Sequence, residues 1–247
     1  MNFLDKIIYD IEIHSEEGIK NCFENGISPN DFYKGKPLIN ELITEYLRGP
    51  GFKACFRIFL DYGLVFEDKV LQAVFLDDAD SLNNLLNDDQ QLLEKRYSFP
   101  CAFTPLKDAS LLHICAEYNH FDCAKILIKH GIDINIKAGT DENGFGSQTP
   151  VFHTVNQGAK DYVKIMKLLV SEGADLSYTV KGFLWGKGYE WETFIAAVNP
   201  LSYAMMGLLP QFQRKQENVY EIINILIKSA YGIDYKPENI PNRYLQR

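Results

Sequence analysis

Ser110-Leu111-Leu112-His113-Ile114-Cys115-Ala116-Glu117-Tyr118-Asn119-His120 runs directly into Phe121-Asp122-Cys123-Ala124-Lys125-Ile126-Leu127-Ile128-Lys129-His130-Gly131, and this stretch decides the fold. Apolar residues recur at helical spacing in two bursts: Leu112, Cys115 and Ala116, then Ala124, Leu127 and Ile128. Tyr118-Asn119-His120 interrupts them, and Gly131 stops the second. The pattern predicts two antiparallel helices of about two to three turns each, too short to be stable alone in water. Neither buries its apolar face by itself, so the unit needs neighbours of its own kind.

Those neighbours are present in the sequence. Thr149-Pro150-Val151-Phe152-His153-Thr154-Val155 predicts a helix opened by a capping Thr with Pro at its first position. Residues 165–175 supply its partner, stopped at Gly173. A third copy opens at Asn199-Pro200-Leu201-Ser202-Tyr203-Ala204 and closes over 222–230. Upstream the rhythm continues over 37–43 with 54–64, over 70–75 with 82–86 (Asp89 standing in the stop position), and over 7–13 with 19–27. The chain resembles the ankyrin repeat, whose pattern opens Thr-Pro-Leu-His-x-Ala and ends Leu-Leu-x-x-Gly-Ala-Asp-x-Asn. Leu112-His113-Ile114-Cys115-Ala116 with Gly131-Ile132-Asp133-Ile134-Asn135 carries the resemblance, as does Thr149-Pro150-Val151 with Leu168-Leu169-Val170-Ser171-Glu172-Gly173-Ala174-Asp175-Leu176. It implies an all-α repeat solenoid of about six helix pairs with β-hairpin and loop insertions, its end pairs atypical because they cap the stack. The single domain would then divide at 2–34, 35–68, 69–108, 109–148, 149–198 and 199–235, with a tail at 236–247.

Three insertions interrupt the stack. Residues 137–148 hold three glycines and Asn143-Gly144, which predict a turn-rich finger. Residues 178–194 alternate apolar and polar positions on either side of Gly186-Lys187-Gly188, which predicts a hairpin carrying both tryptophans of the chain. In the ankyrin resemblance such connections project beside the concave face, where partners bind. Exposed Trp and Tyr are frequent anchors of interfaces. Asp141, Glu142, Phe145, Phe183, Trp185, Tyr189, Glu190 and Trp191 are therefore the candidate partner-binding residues. The same rings equally suit a hairpin folded down onto the helices, some packed inward and one or two facing out. The third insertion, 207–217, reads as a structural elaboration at the opposite edge.

Composition narrows the function. Net charge is −8, from 33 acidic and 25 basic residues, which a nucleic-acid phosphate backbone would repel. No apolar run approaches the length of about 18 residues that a membrane span needs, and the start of the chain lacks a signal-peptide pattern. The five cysteines show no CxxC pair and read as reduced, mostly buried thiols. The expectation is a monomeric cytoplasmic protein that binds neither nucleic acid nor membrane, and the insertions resemble those of stand-alone bacterial ankyrin proteins.

No catalytic, cofactor or metal site is expected. His113, Cys115, His120 and Cys123 crowd into one stretch, but His113 and Cys115 point about 200° apart on a helix and cannot converge. A cysteine paired with His153 or His130 lacks any nucleophile-like flank. Residues 182–188 lack the spacing of a phosphate loop, and 141–144 the ligands of a calcium loop.

The acidic run Asp61, Glu67, Asp68, Asp77, Asp78, Asp80, Asp88, Asp89 and Glu94 is opposed only by Lys69, Lys95 and Arg96. It reads either as a solvated face or as a means of steering a basic partner. The function expected is thus a protein–protein interaction module, for which an inhibitor or immunity protein covering a toxin is one concrete form. The alternative is a small-ligand protein or enzyme with a pocket under the Trp185–Trp191 hairpin.

Overall fold

The computed structural model describes residues 2–45, 49–155, 162–206 and 216–234. Helices α1 (Phe3–Glu12) and α2 (Glu16–Glu24) lead through a short hairpin, β1 (Phe32–Tyr33) and β2 (Lys36–Pro37), to α3 (Ile39–Thr44) and α4 (Gly51–Asp61). Next come α5 (Lys69–Phe75), α6 (Ala79–Asp88), a 3₁₀ turn at Gln90–Glu94, and a hairpin of β3 (Arg96–Phe99) and β4 (Leu106–Ser110). The chain continues with α7 (Leu111–Tyr118), α8 (Phe121–Lys129), α9 (Phe152–Val155), α10 (Tyr162–Ser171), β5 (Val180–Trp185), β6 (Thr193–Val198), α11 (Pro200–Met206) and α12 (Gln216–Tyr231).

Consecutive helices pack as pairs, from α1 on α2 to α11 on α12. First helices then line up as α5, α7, α9 and α11, and second helices as α6, α8, α10 and α12. This is how short amphipathic helices bury faces that none could bury alone. Between the second and third pairs the junction is filled by aromatic rings. Phe52 and Phe56 of α4 meet Phe75 of α5 at 5.5 and 5.3 Å, and Tyr118 of α7 closes on Phe52 at 4.7 Å.

Local chemistry sets the helix ends. Ser15, Asp68 and Asp78 accept from the backbone N–H groups of Gly18, Leu71 and Ser81 at 3.2, 3.0 and 3.0 Å. Ser110 opens α7 in a reciprocal cap with His113, and Asn119 closes it in the left-handed conformation at φ 59°. The side-chain cap expected at Thr149 does not form. Its hydroxyl finds no hydrogen-bond partner among the described residues, and the turn begins with the Phe152 N–H donating to the Thr149 carbonyl at 3.1 Å.

Polar side chains also bind one pair to the next. His113 Nε2 lies 2.9 Å from the Gln148 carbonyl oxygen, and Asn135 spans to the following pair by donating to the Gly173 carbonyl (3.0 Å) and accepting from Asp175 N–H (2.7 Å). Asn30 makes the same bridge to the Gly63 carbonyl (2.9 Å) and Val65 N–H (2.9 Å), far upstream.

Of the third insertion, 207–215 lie outside the described residues, as does the tail 236–247. Gln216 and Glu217, read from sequence as the end of that insertion, instead open α12. No described helix is long and apolar enough to cross a membrane.

Candidate functional site

Three connections between successive helix pairs come together at one place. The first is the β3–β4 hairpin, whose strands pair Arg96 with Ser110 and Phe99 with Leu106 around a bulge. Its tip is Pro100-Cys101-Ala102-Phe103-Thr104-Pro105. The second is the finger at 137–148, closed by a bridge between Thr140 and Gly146. Within it the Asp141 carboxylate accepts the N–H groups of Asn143 and Phe145, both at 2.9 Å, which folds the tip into a compact turn. Partial desolvation raises the Asp141 pKa, but those backbone donors outweigh it and hold the carboxyl below its ordinary range. The third is the β5–β6 hairpin, paired from Val180↔Val198 to Trp185↔Thr193. Its turn at 186–192 is wider than the Gly186-Lys187-Gly188 turn expected from sequence, and β6 runs past Phe194 to Val198.

Backbone hydrogen bonds lock the three fingers into a ring. Gly139 N–H donates to the Lys107 carbonyl (2.8 Å), Gly146 N–H to the Gly182 carbonyl (2.7 Å), and Gly186 N–H to the Ala102 carbonyl (2.7 Å). Two of these donors must be glycine. A Cβ on Gly146 would sit 2.5 Å from the Gly139 carbonyl oxygen at φ +121°, and one on Gly186 would sit 2.5 Å from the Trp191 ring at φ +60°. Side chains add to the seam: Phe145 meets Phe194 at 4.7 Å, and Phe103 meets Trp185 at 5.7 Å.

The Trp185 indole N–H donates to the Tyr203 hydroxyl at 2.9 Å, and that hydroxyl lies 2.7 Å from Thr104 Oγ1. Tyr203 and Thr104 are buried, so this chain of hydroxyls pins the third hairpin to α11 and to the tip of the first.

Two adjoining cavities open between the fingers. One, of about 530 Å³, is walled by Phe99, Leu106 and Leu184 with Lys107, Asp141 and Lys187 at its polar side. The other, of about 450 Å³, lies between the end of α3 (Glu41, Thr44, Glu45) and Ala102, Phe103, Tyr189 and Trp191. Thr44, Ala102 and Tyr189 line both, so the two form one groove.

The eight candidate residues divide accordingly. Asp141, Phe145 and Tyr189 line the larger cavity, and Tyr189 and Trp191 the smaller. Tyr189 (59% exposed) and Trp191 (45%) stack on each other at 5.2 Å. Phe183 also borders the larger cavity but is buried on Tyr203 at 5.1 Å, and Trp185 packs inward beside it. Glu142 and Glu190 stand in solvent, Glu142 within 3.7 Å of Lys187. The β3–β4 hairpin, which supplies Phe99, Cys101, Phe103 and Lys107, has no counterpart in the sequence reading. Its signal was the alternation Tyr97, Phe99, Cys101, Phe103 interrupted by Pro100 and closed by Pro105.

The metal-capable residues near α7 serve packing. His120 Nδ1 contacts the Val74 carbonyl oxygen, and burial lowers its pKa to about 3. Burial likewise pushes His113 well below and Cys115 well above their ordinary values. Among the described residues no three such side chains come together around a metal position. Cys101 donates to Glu117 Oε1 at 3.5 Å, and Glu117 Oε2 lies 2.8 Å from His153 Nδ1. The carboxylate thus stands between thiol and imidazole, the reverse of the order in which a base activates a nucleophile.

Four of the nine residues of the acidic run are taken up by structure. Asp68 and Asp78 cap helices, Asp89 caps the 3₁₀ turn, and Asp77 accepts from Cys123 N–H at 2.9 Å.

Helix pairs stacked in register, with long connections gathered along one side, define a helical repeat protein. Residues 70–180 match the family model described as ankyrin repeats, in three copies, so this stretch of the chain is built of ankyrin repeats. No curated protein matches the chain.

Proposed function

We propose that this chain binds a partner protein in the groove framed by its three interlocked fingers. Ankyrin repeats are in general protein-binding modules. The observation that carries the finer reading is the ring of backbone bonds through Gly139, Gly146 and Gly186, which holds exposed Tyr189 and Trp191 at the rim of a preformed groove. A surface ordered before contact loses little entropy on binding. In this reading all six helix pairs form one ankyrin-type stack with the groove beside its concave face. The matching bridges of Asn30 and Asn135 support that extension beyond residues 70–180.

A photo-crosslinking residue at position 189, with the exposed position 231 at the end of α12 as control, tests the reading in native lysate. One protein captured from 189 alone, and then bound by the purified chain, is the expected result. Equal capture from both positions, or binding of the purified partner unchanged in Tyr189→Ser/Trp191→Ser, would sink it. Covering a toxin's active surface is one task such a groove performs, and co-expression with a captured nuclease or other toxic protein tests it by cell survival.

A second reading rests on the larger cavity. Its volume of about 530 Å³ falls in the range of small-molecule sites, and Lys107, Lys187 and Asp141 give it polar points. A thermal-shift screen of metabolites with no stabilising hit argues against it.

A further inference from the structure

The smaller cavity joins two kinds of wall that point to one ligand chemistry. The fingers supply aromatic rings: Trp191 lies 5.9 Å from Phe103 and 5.2 Å from Tyr189. The end of α3 supplies carboxylates, Glu41 and Glu45, four residues apart around Thr44. Among the described residues that line it, none is basic. The Glu41 carboxylate has no hydrogen-bond or ion-pair partner among the described residues, although its side chain is only part-exposed. The C-terminal end of a helix adds its own negative dipole end to such a site.

A ring face attracts a cation through its quadrupole, and Trp does so best of the aromatic residues. A carboxylate facing those rings completes the charge balance and accepts hydrogen bonds from a planar guanidinium in pairs. An apolar side chain would gain from the rings but would strip water from Glu41 with nothing in return.

We propose that this cavity receives an arginine side chain of the bound partner, stacked on Trp191 and Phe103 and paired with Glu41. The proposal rests on the groove being the partner-binding surface. It adds which residue of the partner is recognised, and where. Phe103 and Glu41 become specificity residues that the sequence reading did not single out.

The test needs no identified partner. The probe is N-acetyl-arginine methylamide, titrated into the ¹⁵N-labelled full chain, with N-acetyl-norleucine methylamide as the neutral analogue of similar length. The two indole N–H resonances report separately, since Trp185 is bonded to Tyr203 and Trp191 lines the cavity. The expected result is a saturable shift of the Trp191 resonance by the arginine probe, at least fivefold weaker with norleucine and at least threefold weaker in Glu41→Gln. Equal binding of the two probes to wild type, or a Trp191 resonance indifferent to arginine, overturns the proposal without recourse to any variant. If position 189 still captures a partner while the arginine probe fails, the groove reading stands and only the arginine assignment falls. Capture failing as well removes both.

Discussion

Replacing Tyr203 by Phe removes one oxygen from the interior and leaves every ring contact in place. The Tyr203 ring meets Phe152 at 6.2 Å, Phe183 at 5.1 Å and Trp185 at 6.0 Å, and Phe keeps all three. What is lost is the acceptor for the Trp185 indole N–H and the hydroxyl partner of Thr104 Oγ1. Thr104 is 2% exposed, so its hydroxyl loses a partner that water cannot readily replace, at about 1–3 kcal/mol. The half-buried indole N–H has some access to water and adds less, so the loss should be about 2 kcal/mol. Urea unfolding followed by circular dichroism measures it as a lowered midpoint at unchanged slope. Thr104→Val supplies the second edge of a double-mutant cycle. Because it removes the group that Tyr203→Phe leaves unpaired, the double variant should be less destabilised than the sum by about 1 kcal/mol. A Tyr203→Phe loss under about 0.5 kcal/mol, the level of an ordinary surface change, would refute the claim that this hydroxyl pins the hairpin; so would strict additivity.

Acid should destabilise the fold earlier than the carboxylates alone dictate. His113 and His120 have folded pKa values below their ordinary 6.5, so the unfolded chain takes up protons first and stability falls as pH drops through 6.5. Going from pH 7.5 to 5.5 should remove about 1 kcal/mol per histidine, and the His120 share levels off only near pH 3. Unfolding midpoints across that range check it, together with a His120 imidazole resonance that does not titrate above about pH 4. Gly186→Ala should move the Trp191 ring and strain the turn, lowering stability by about 1–2 kcal/mol and red-shifting Trp191 emission in a Trp185→Phe background. An unchanged spectrum and midpoint would contradict the close approach. Asn30→Ala and Asn135→Ala should each lower stability by about 1 kcal/mol. A cost at Asn135 alone would speak against one continuous stack.

The helix pairs were legible because their signals are local. A period of 3.6 residues and a closing Gly act within one turn of chain, as at Leu112–Ala116 and Gly131, whereas the capping residue read from sequence, Thr149, does not cap and the caps at Ser110 and Asp68 were not read. The finger tip at 141–145 was legible for the same reason, as was the existence of the second hairpin, though its turn spans 186–192 and not 186–188 alone. The groove was not, because its walls meet only through bonds between residues distant in sequence, such as Gly186 to Ala102. The β3–β4 hairpin escaped notice because its alternation is short and interrupted by Pro100, while a repeat boundary placed at 108 cut through it. Trp185 and Trp191 show the limit most plainly. They lie on one hairpin with similar flanks, yet one bonds to buried Tyr203 and the other stands at the groove rim. Only the position of α11 separates the two outcomes.

The glycines of the fingers carry a different meaning in the folded chain than their turn chemistry suggests. Each of Gly139, Gly146 and Gly186 donates its N–H to a neighbouring finger, so the three connections behave as one braced rim. Long loops on a repeat scaffold ordinarily lose entropy when a partner orders them. Here much of that ordering is already complete, through backbone bonds and the Phe145–Phe194 and Phe103–Trp185 contacts. Under the proposed function, selectivity is set by what lines the groove. A change of a single ring or carboxylate, Trp191 or Glu41, would then alter partner choice without disturbing the helices beneath, whereas a change at Gly146 or Tyr203 would alter the frame and affect every partner alike.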